Sequence, residues 1–89
     1  MAYVYILECS DGSLYTGWTN DLKKRLKAHN SGTASKYTRA RLPVRMVYFE
    51  EAESKSAALK REAALKKLPR AQKLSLIEQQ WPVPPDRPL

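Results

Sequence analysis

The sequence has few of the residues that build several common kinds of site. A single cysteine among 89 residues excludes an internal disulfide framework and a zinc site made of several cysteines. One histidine and three glycines leave no His-Cys cluster and no glycine-rich phosphate loop. No apolar run approaches the length of a membrane span, and the first residues lead into a predicted strand rather than a signal peptide. We therefore expect one small, soluble, cytoplasmic domain.

Acidic residues are also scarce relative to basic ones. Sixteen Lys and Arg stand against nine Asp and Glu, which gives a net charge of +7 and a pI near 9.8. Excess positive charge indicates a polyanionic partner, most commonly nucleic acid. A basic surface with no specific ligand would have the same composition, so particular residues must decide between the two interpretations.

The N-terminal segment predicts a β-hairpin. Residues 3–9 and 14–18 are rich in aromatic and β-branched side chains, which favour strands. Between them lies Asp11-Gly12, a strong signal for a tight hairpin turn.

The length of this turn determines where two tyrosines point. A two-residue loop would place Tyr5 and Tyr15 on opposite faces, where they would be ordinary packing residues. A three-residue loop at 10–12, with Gly12 in the left-handed conformation, would place Leu7 opposite Tyr15 and both tyrosines on one face. Two phenols on one face can line a site, and we predict the three-residue loop.

The rest of the chain predicts three helices and one more strand. The predicted segments are a helix at 21–30, a loop at 32–43, a strand at 44–49, and helices at 55–68 and 70–80. The strand at 44–49 is the most continuously apolar run and is predicted to be central in the sheet. Leu74 and Ile77 mark the predicted apolar stripe of the last helix. Residues 81–89 are rich in proline and predict an extended tail beside a domain at 1–80.

The predicted loop at 32–43 alternates cations with an aromatic residue. The residues concerned are Lys36, Tyr37, Arg39 and Arg41. In the functional interpretation they follow a phosphate backbone while Tyr37 stacks on a base. In the structural interpretation the loop is a solvated connection whose tyrosine covers the core. The overall charge favours the functional interpretation.

A carboxylate occupies the apolar face of the predicted helix at 55–68. The helical neighbours of Glu62 are Ala58, Leu59, Leu65 and Lys66, three of which are apolar. An unpaired charge is costly in such a place. Glu62 is therefore either paired with Lys66 or a ligand for a metal such as Mg²⁺, which needs few carboxylates when water and phosphate complete its shell.

In order and spacing, these residues resemble the GIY-YIG nuclease superfamily. The resemblance rests on Tyr3-Val-Tyr5, Tyr15-Thr-Gly17, Asp21-Leu-Lys-Lys-Arg-Leu26 and Glu62, and it covers about residues 2–75. The stretches at 11–17 and 37–43 are similar to those of small stand-alone bacterial members. Tyr3 and Thr16 replace the first glycine and the isoleucine of the family motifs, at positions that carry no chemistry.

The resemblance implies an α+β fold, with a three-stranded antiparallel sheet flanked by about three helices. It also implies a DNA endonuclease that uses one divalent metal, Mg²⁺ or Mn²⁺, held by Glu62. The site residues it implies are Tyr5, Tyr15, Arg25, His29 and Glu62, with Gly17 closing the second motif. Arg25 would bind phosphate oxygens, Tyr5 would orient water or phosphate, and either Tyr15 or His29 would be the general base. Cleavage would be structure-directed or weakly sequence-specific, in DNA repair or processing, with a protein partner supplying any specificity.

Two departures from the family pattern keep other functions open. Trp18 stands where the excision-repair nucleases carry a lysine, and the third predicted helix has no clear counterpart of a downstream asparagine found in some members. Both favour a non-catalytic, basic nucleic-acid-binding module built on a nuclease fold. A third hypothesis is a protein-interaction adaptor that uses the proline-rich segment at 81–89.

Overall fold

The computed structural model describes residues 1–80, which form a three-stranded antiparallel sheet and four helices. The elements are β1 (Ala2–Glu8), β2 (Leu14–Thr19), α1 (Leu22–Asn30), α2 (Lys36–Arg39), β3 (Arg45–Ala52), α3 (Lys55–Lys66) and α4 (Arg70–Gln80). The predicted α+β class and antiparallel sheet are confirmed. The predicted tail at 81–89 lies outside the described residues. No helix within residues 1–80 has the length and apolar character needed to cross a membrane.

The hairpin between β1 and β2 has the predicted three-residue loop. The Cys9 N–H donates to the Ser13 carbonyl at 2.9 Å, and the Gly12 N–H donates to the Cys9 carbonyl at 2.9 Å. Gly12 has φ +84°, a left-handed conformation that glycine adopts without steric cost.

The strand register that follows from this loop places both tyrosines on one face of the sheet. Leu7 lies opposite Tyr15, and Tyr5 lies opposite Gly17. Because side chains alternate along a strand, Tyr5, Leu7, Tyr15 and Gly17 share a face. The predicted common face of Tyr5 and Tyr15 is confirmed.

The third strand lies at an edge of the sheet, so the prediction of a central position was wrong. The strand order is β2-β1-β3, and β1 is the central strand. Ile6 pairs with Tyr48 and Leu7 pairs with Met46, which leaves Val47 as an extra residue at a β-bulge. Because helices cover both faces, residues on each side of the bulge are apolar. The continuous apolar run of β3 is therefore explained by burial of both faces of this strand. It does not require a neighbouring strand on each side.

The sheet separates two apolar cores. The core beneath α3 and α4 contains Ala2, Val4, Ile6, Val47, Tyr48, Ala58, Leu65 and Ile77. The core beneath α1 contains Tyr5, Leu7, Cys9, Val44 and Met46, with Leu22 and Leu26 packed against it. Tyr5 thus belongs to the layer between the sheet and α1, which is where the candidate site is built.

Two helical predictions require correction. The segment at 32–43 is not wholly a loop, because Ser35 accepts a hydrogen bond from the Tyr37 N–H and begins the short helix α2. Leu74 is exposed rather than buried, because the side of α4 that packs against the core buries Ile77 instead. Helix α3 begins at Lys55 as predicted, with Ser54 as its capping residue, and it ends at Lys66, two residues before the predicted end.

The hydroxyl group of Thr16 is buried beneath α3 without a hydrogen-bond partner in the part of the chain that the structure describes, and its cost to stability can be measured. Thr16 is 3% exposed, and its Oγ1 is buried with no hydrogen-bond partner within residues 1–80. Replacing Thr16 with valine keeps the shape and removes the unpaired hydroxyl, so the free energy of unfolding should rise by about 1 kcal/mol. Urea denaturation measures this change.

A matched control is available at Thr19 on the same strand. Thr19 is equally buried, but its Oγ1 accepts a hydrogen bond from the Asp21 N–H at 3.1 Å. Replacing Thr19 with valine should therefore lower the free energy of unfolding. A lower unfolding midpoint in Thr16→Val as well would contradict the interpretation of Thr16.

Candidate active site

Two tyrosines and the single histidine meet on the α1 side of the sheet. Tyr5 comes from β1, Tyr15 from β2 and His29 from the last turn of α1. The Tyr5 hydroxyl and His29 Nε2 are hydrogen-bonded at 2.9 Å. The imidazole ring meets the Tyr5 and Tyr15 rings edge-on, with centroids 5.8 and 5.3 Å apart. The structure thus joins three of the predicted site residues in one cluster.

His29 is held as a buried, neutral ring. Its side chain is fully buried, and its second ring nitrogen, Nδ1, lies 2.8 Å from Thr38 Oγ1. Burial, and to a lesser extent the nearby Arg25 guanidinium, lower the pKa of His29 to about 4. Both ring nitrogens are therefore engaged, and the ring is uncharged at neutral pH.

Gly17 makes room for the two phenols. A Cβ atom at this position would lie 2.6 Å from the Tyr5 hydroxyl oxygen, 2.8 Å from Tyr5 Cζ and 3.3 Å from Tyr15 Cε2. The backbone of Gly17 does not have a positive φ. Glycine is therefore required here because the phenol of Tyr5 occupies the space of a side chain.

Two charged residues act on the Tyr5 phenol from different helices. Burial raises the pKa of Tyr5 well above its usual range, and Tyr15 raises it further. Arg25, on α1, opposes this shift, whereas Glu62, on α3, adds to it. Tyr5 therefore stays protonated at neutral pH, although no direct hydrogen bond within residues 1–80 joins it to Arg25 or Glu62.

Glu62 is a mostly buried carboxylate with a weak partner. Its side chain is 17% exposed and forms an ion pair with Lys66 at 3.5 Å, so the pair considered in the structural interpretation is present. Within residues 1–80, no three His, Cys, Asp or Glu side chains are grouped as metal ligands. This donor set does not fit zinc or a calcium cage, but one carboxylate fits Mg²⁺ when water and phosphate complete the shell.

The basic segment reaches the site through Tyr37. The Tyr37 ring is 39% exposed and stacks on Tyr15, with centroids 5.9 Å apart and planes at 25°. Lys36 and Arg39 are exposed on the same short helix. An exposed aromatic ring and two cations thus lie beside the cluster of Tyr15 and His29.

Arg41 has a structural role that the sequence did not indicate. Its guanidinium carbon lies 3.9 Å from the centroid of the Tyr37 ring. It also forms an ion pair with Asp11 at 3.0 Å and donates to the Tyr37 carbonyl at 2.9 Å. A base could stack on that face of Tyr37 only after Arg41 moved.

A cleft borders the start of α1. Its lining consists of Thr19, Asn20, Asp21, Lys24, Arg25 and Ala28. Two of these residues, Lys24 and Arg25, are cationic, and within residues 1–80 Arg25 forms no ion pair with Asp21. The cleft therefore combines two cations with the carboxylate of Asp21, and Arg25 connects it electrostatically to the phenol of Tyr5.

Thr38 was missed by the sequence analysis. It is fully buried and bonded to His29, yet a threonine in a basic segment carries no obvious signal. The sequence feature that could have indicated Thr38 is Ser35. A capping residue before 36–39 predicts a helical turn, and such a turn buries one of the side chains at 36–39.

Nearly the whole chain matches known proteins of one family. The family profile described as the GIY-YIG catalytic domain matches residues 1–75. The UPF0213 protein CPE1444 of Clostridium perfringens is 64% identical over 77 residues, which are 86% of this chain and 83% of that protein. A UPF0213 protein of Syntrophus aciditrophicus is 59% identical over 78 residues, which are 86% of this chain and 90% of that protein.

Two solution NMR structures show the same fold. The UPF0213 protein BH0048 of Bacillus halodurans superimposes with a TM-score of 0.58 at 47% identity, covering 90% of this chain and 86% of that one. The protein EF2693 of E. faecalis superimposes with a TM-score of 0.59 at 44% identity, and the match covers 96% of this chain and 91% of that one. The names of these relatives state no activity.

Proposed function

Because this chain belongs to the GIY-YIG family, whose domain is a nuclease fold, we propose that it is a divalent-metal-dependent endonuclease that hydrolyses DNA phosphodiester bonds. The observation that carries the proposal is the cluster of Tyr5, Tyr15 and His29, in which the two phenols fill the space left by Gly17. Residues 1–80 would act as one nuclease domain, directed to DNA structure or weakly to sequence, in DNA repair or processing. A protein partner would supply further specificity.

The burial of each side chain supports a division of roles. Hydrolysis needs an activated water, stabilisation of the charged phosphate and a proton for the leaving oxygen. Tyr15 is half-buried, so its phenol is the accessible candidate for the general base. Tyr5 is buried and protonated, which suits it to orient the water. His29 has both nitrogens engaged, which suits positioning better than proton abstraction.

Two charged residues, Arg25 and Glu62, would bind the phosphate, one directly and one through a metal ion. Arg25 offers a planar guanidinium that can donate two parallel hydrogen bonds to phosphate oxygens as negative charge builds. Glu62 would hold Mg²⁺ or Mn²⁺, which when bound polarises a phosphoryl oxygen and stabilises the leaving group. Giving up the ion pair with Lys66 would cost only a few tenths of a kcal/mol.

The exposed cations of α2 would follow the DNA backbone beside the cut. Replacing Lys36 and Arg39 together with alanine should weaken DNA binding and lower the slope of log affinity against log salt by about 2, since each phosphate contact contributes about 1. Fluorescence anisotropy at several salt concentrations measures the slope. Replacing Arg70, which is exposed on α4, should leave it unchanged. An unaltered slope in the double variant would exclude these two cations from the DNA interface.

A non-catalytic nucleic-acid-binding module is the second candidate function. It is favoured by the single carboxylate at the site, since the described residues provide no larger set of metal ligands. The test is to incubate the protein with labelled single-stranded, duplex and branched DNA, and with RNA, in Mg²⁺, Mn²⁺ or EDTA. Metal-dependent cleavage of any DNA supports the endonuclease. Salt-sensitive binding without cleavage of any substrate would contradict it and support the module.

A further inference from the structure

A chain of hydrogen bonds links Tyr5 to helix α2 through His29. The Tyr5 hydroxyl meets Nε2 at 2.9 Å, Nδ1 meets Thr38 Oγ1 at 2.8 Å, and Thr38 Oγ1 lies 3.4 Å from the Ser35 carbonyl oxygen. Tyr5, His29 and Thr38 are all buried. In the protein without substrate, water therefore has little part in deciding where these hydrogens lie, and the protein partners must decide it.

A neutral imidazole carries one hydrogen, so one nitrogen donates and the other accepts. The Ser35 carbonyl is the fixed end of the chain, because a carbonyl can only accept. If the Thr38 hydroxyl donates to it, as threonine commonly does to a carbonyl one turn back in a helix, Oγ1 must accept from Nδ1–H. Nε2 is then unprotonated and accepts the hydrogen of the Tyr5 hydroxyl.

We propose that Thr38 is a positioning residue that holds His29 as the Nδ1–H tautomer and so turns the Tyr5 hydroxyl hydrogen toward Nε2. The inference rests on the proposed function for its catalytic meaning. With its hydrogen committed to His29, the Tyr5 oxygen can only accept hydrogen bonds from other groups. It can then accept one from the attacking water and leave the lone pair of that water to face phosphorus. In the opposite tautomer Nε2–H would donate to the Tyr5 oxygen, and the Tyr5 hydrogen would be free to point at the water, which removes this orientation.

The surroundings of His29 support a neutral ring. The titratable and charged groups that face it are Tyr5 from β1, Tyr15 from β2 and Arg25 from its own helix, while α2 contributes the uncharged Thr38. No carboxylate within residues 1–80 forms an ion pair with His29. The neighbours of His29 therefore do not change the charge of its ring, but they can determine which of its two nitrogens carries the hydrogen.

The position of Thr38 is itself fixed by the turn around it. Ser35 caps α2, and its carbonyl also accepts the Arg39 N–H at 3.0 Å. The Arg41 carbonyl accepts the Ser10 N–H at 3.0 Å, and the Arg41 side chain pairs with Asp11. The hairpin turn thus anchors the end of the segment that carries Thr38, which keeps its hydroxyl against the ring.

The tautomer can be read directly, because the chain has one histidine. Nitrogen-15 NMR of the imidazole should show a protonated Nδ1 and an unprotonated Nε2 in the wild-type protein at neutral pH. In Thr38→Val, Nδ1 loses its partner and the hydrogen should move to Nε2, whereas Thr38→Ser should restore the wild-type pattern. A wild-type ring protonated at Nε2, or a Thr38→Val ring with the wild-type pattern, would overturn the proposal.

Cleavage kinetics supply the second readout. Thr38→Val should lower kcat by about tenfold or more with little change in KM, as when the partner that orients a functional histidine is lost. Thr38→Ser should recover most of the rate, and Thr33→Val, at an exposed threonine nearby, should behave as wild type. Equal kcat in Thr38→Val and wild type would contradict the positioning role. The NMR spectra need no cleavage, so an inactive wild-type protein would refute the proposed function while the spectra still decide the tautomer.

Discussion

Replacing Gly17 with alanine should reduce cleavage by at least about 100-fold, because a misplacement of about 1 Å among the reacting groups of an active site can cost about that much in rate. The new methyl group would lie 2.6 Å from the Tyr5 hydroxyl oxygen and 3.3 Å from Tyr15 Cε2. The Tyr5 ring is buried and cannot turn away without breaking its hydrogen bond to His29. Overpacking of this kind should also cost about 1–3 kcal/mol of stability.

Gly12 provides the control that separates catalysis from stability. An alanine at Gly12 would meet no atom within 4 Å, but it would have to adopt φ +84°, at a cost of about 1–2 kcal/mol. Gly12→Ala should therefore be destabilised yet cleave at the wild-type rate while folded. Rates are compared at a temperature where circular dichroism shows both variants folded. If Gly17→Ala cleaves as fast as Gly12→Ala, the close contact has no catalytic importance.

The hairpin was predictable because local rules determine it. Asp11-Gly12 defines the turn, the loop length sets the register, and the register places Tyr5 and Tyr15 on one face. The capping residues Asp21 and Ser54 likewise mark the starts of two helices in the sequence. Each of these features depends on residues only a few positions apart.

The position of the third strand was not predictable in the same way. A continuous apolar run indicates burial on both faces but does not say whether a strand has one neighbour or two. The bulge at Val47 further disturbs the alternation of side chains. At this edge, Gln80 accepts from the Phe49 N–H at 3.0 Å and donates to the Phe49 carbonyl at 2.6 Å. That bridge joins residues 31 positions apart, so no local pattern reveals it.

The candidate site was predictable in its members but not in its connections. Resemblance to a family supplied Tyr5, Tyr15, Arg25, His29 and Glu62, and the structure joins three of them by direct contact. The partner of the second imidazole nitrogen, Thr38, comes from a separate short helix. Long-range hydrogen bonds of this kind depend on packing between elements, which the spacing of residues along the chain does not encode.

Replacing Glu62 with glutamine should abolish metal-dependent cleavage. Glutamine keeps the size of the side chain and loses the charge, so the fold should be retained while the affinity for Mg²⁺ falls. Since a metal contributes several kcal/mol of transition-state stabilisation, the rate should drop at least about 100-fold. The loss of the weak Lys66 ion pair should change stability by only a few tenths of a kcal/mol.

The most direct test of the central claim, that the proposed site with Glu62 as metal ligand is a nuclease centre, is one cleavage assay. Wild type, Glu62→Gln and Glu78→Gln, a control at an exposed glutamate of α4, are incubated with labelled single-stranded, duplex and branched DNA in Mg²⁺ or EDTA. We expect wild type and Glu78→Gln to cleave with Mg²⁺ alone, and Glu62→Gln to bind DNA without cleaving it. Equal cleavage by Glu62→Gln and wild type, or cleavage that persists in EDTA, would contradict a metal-dependent nuclease built on Glu62.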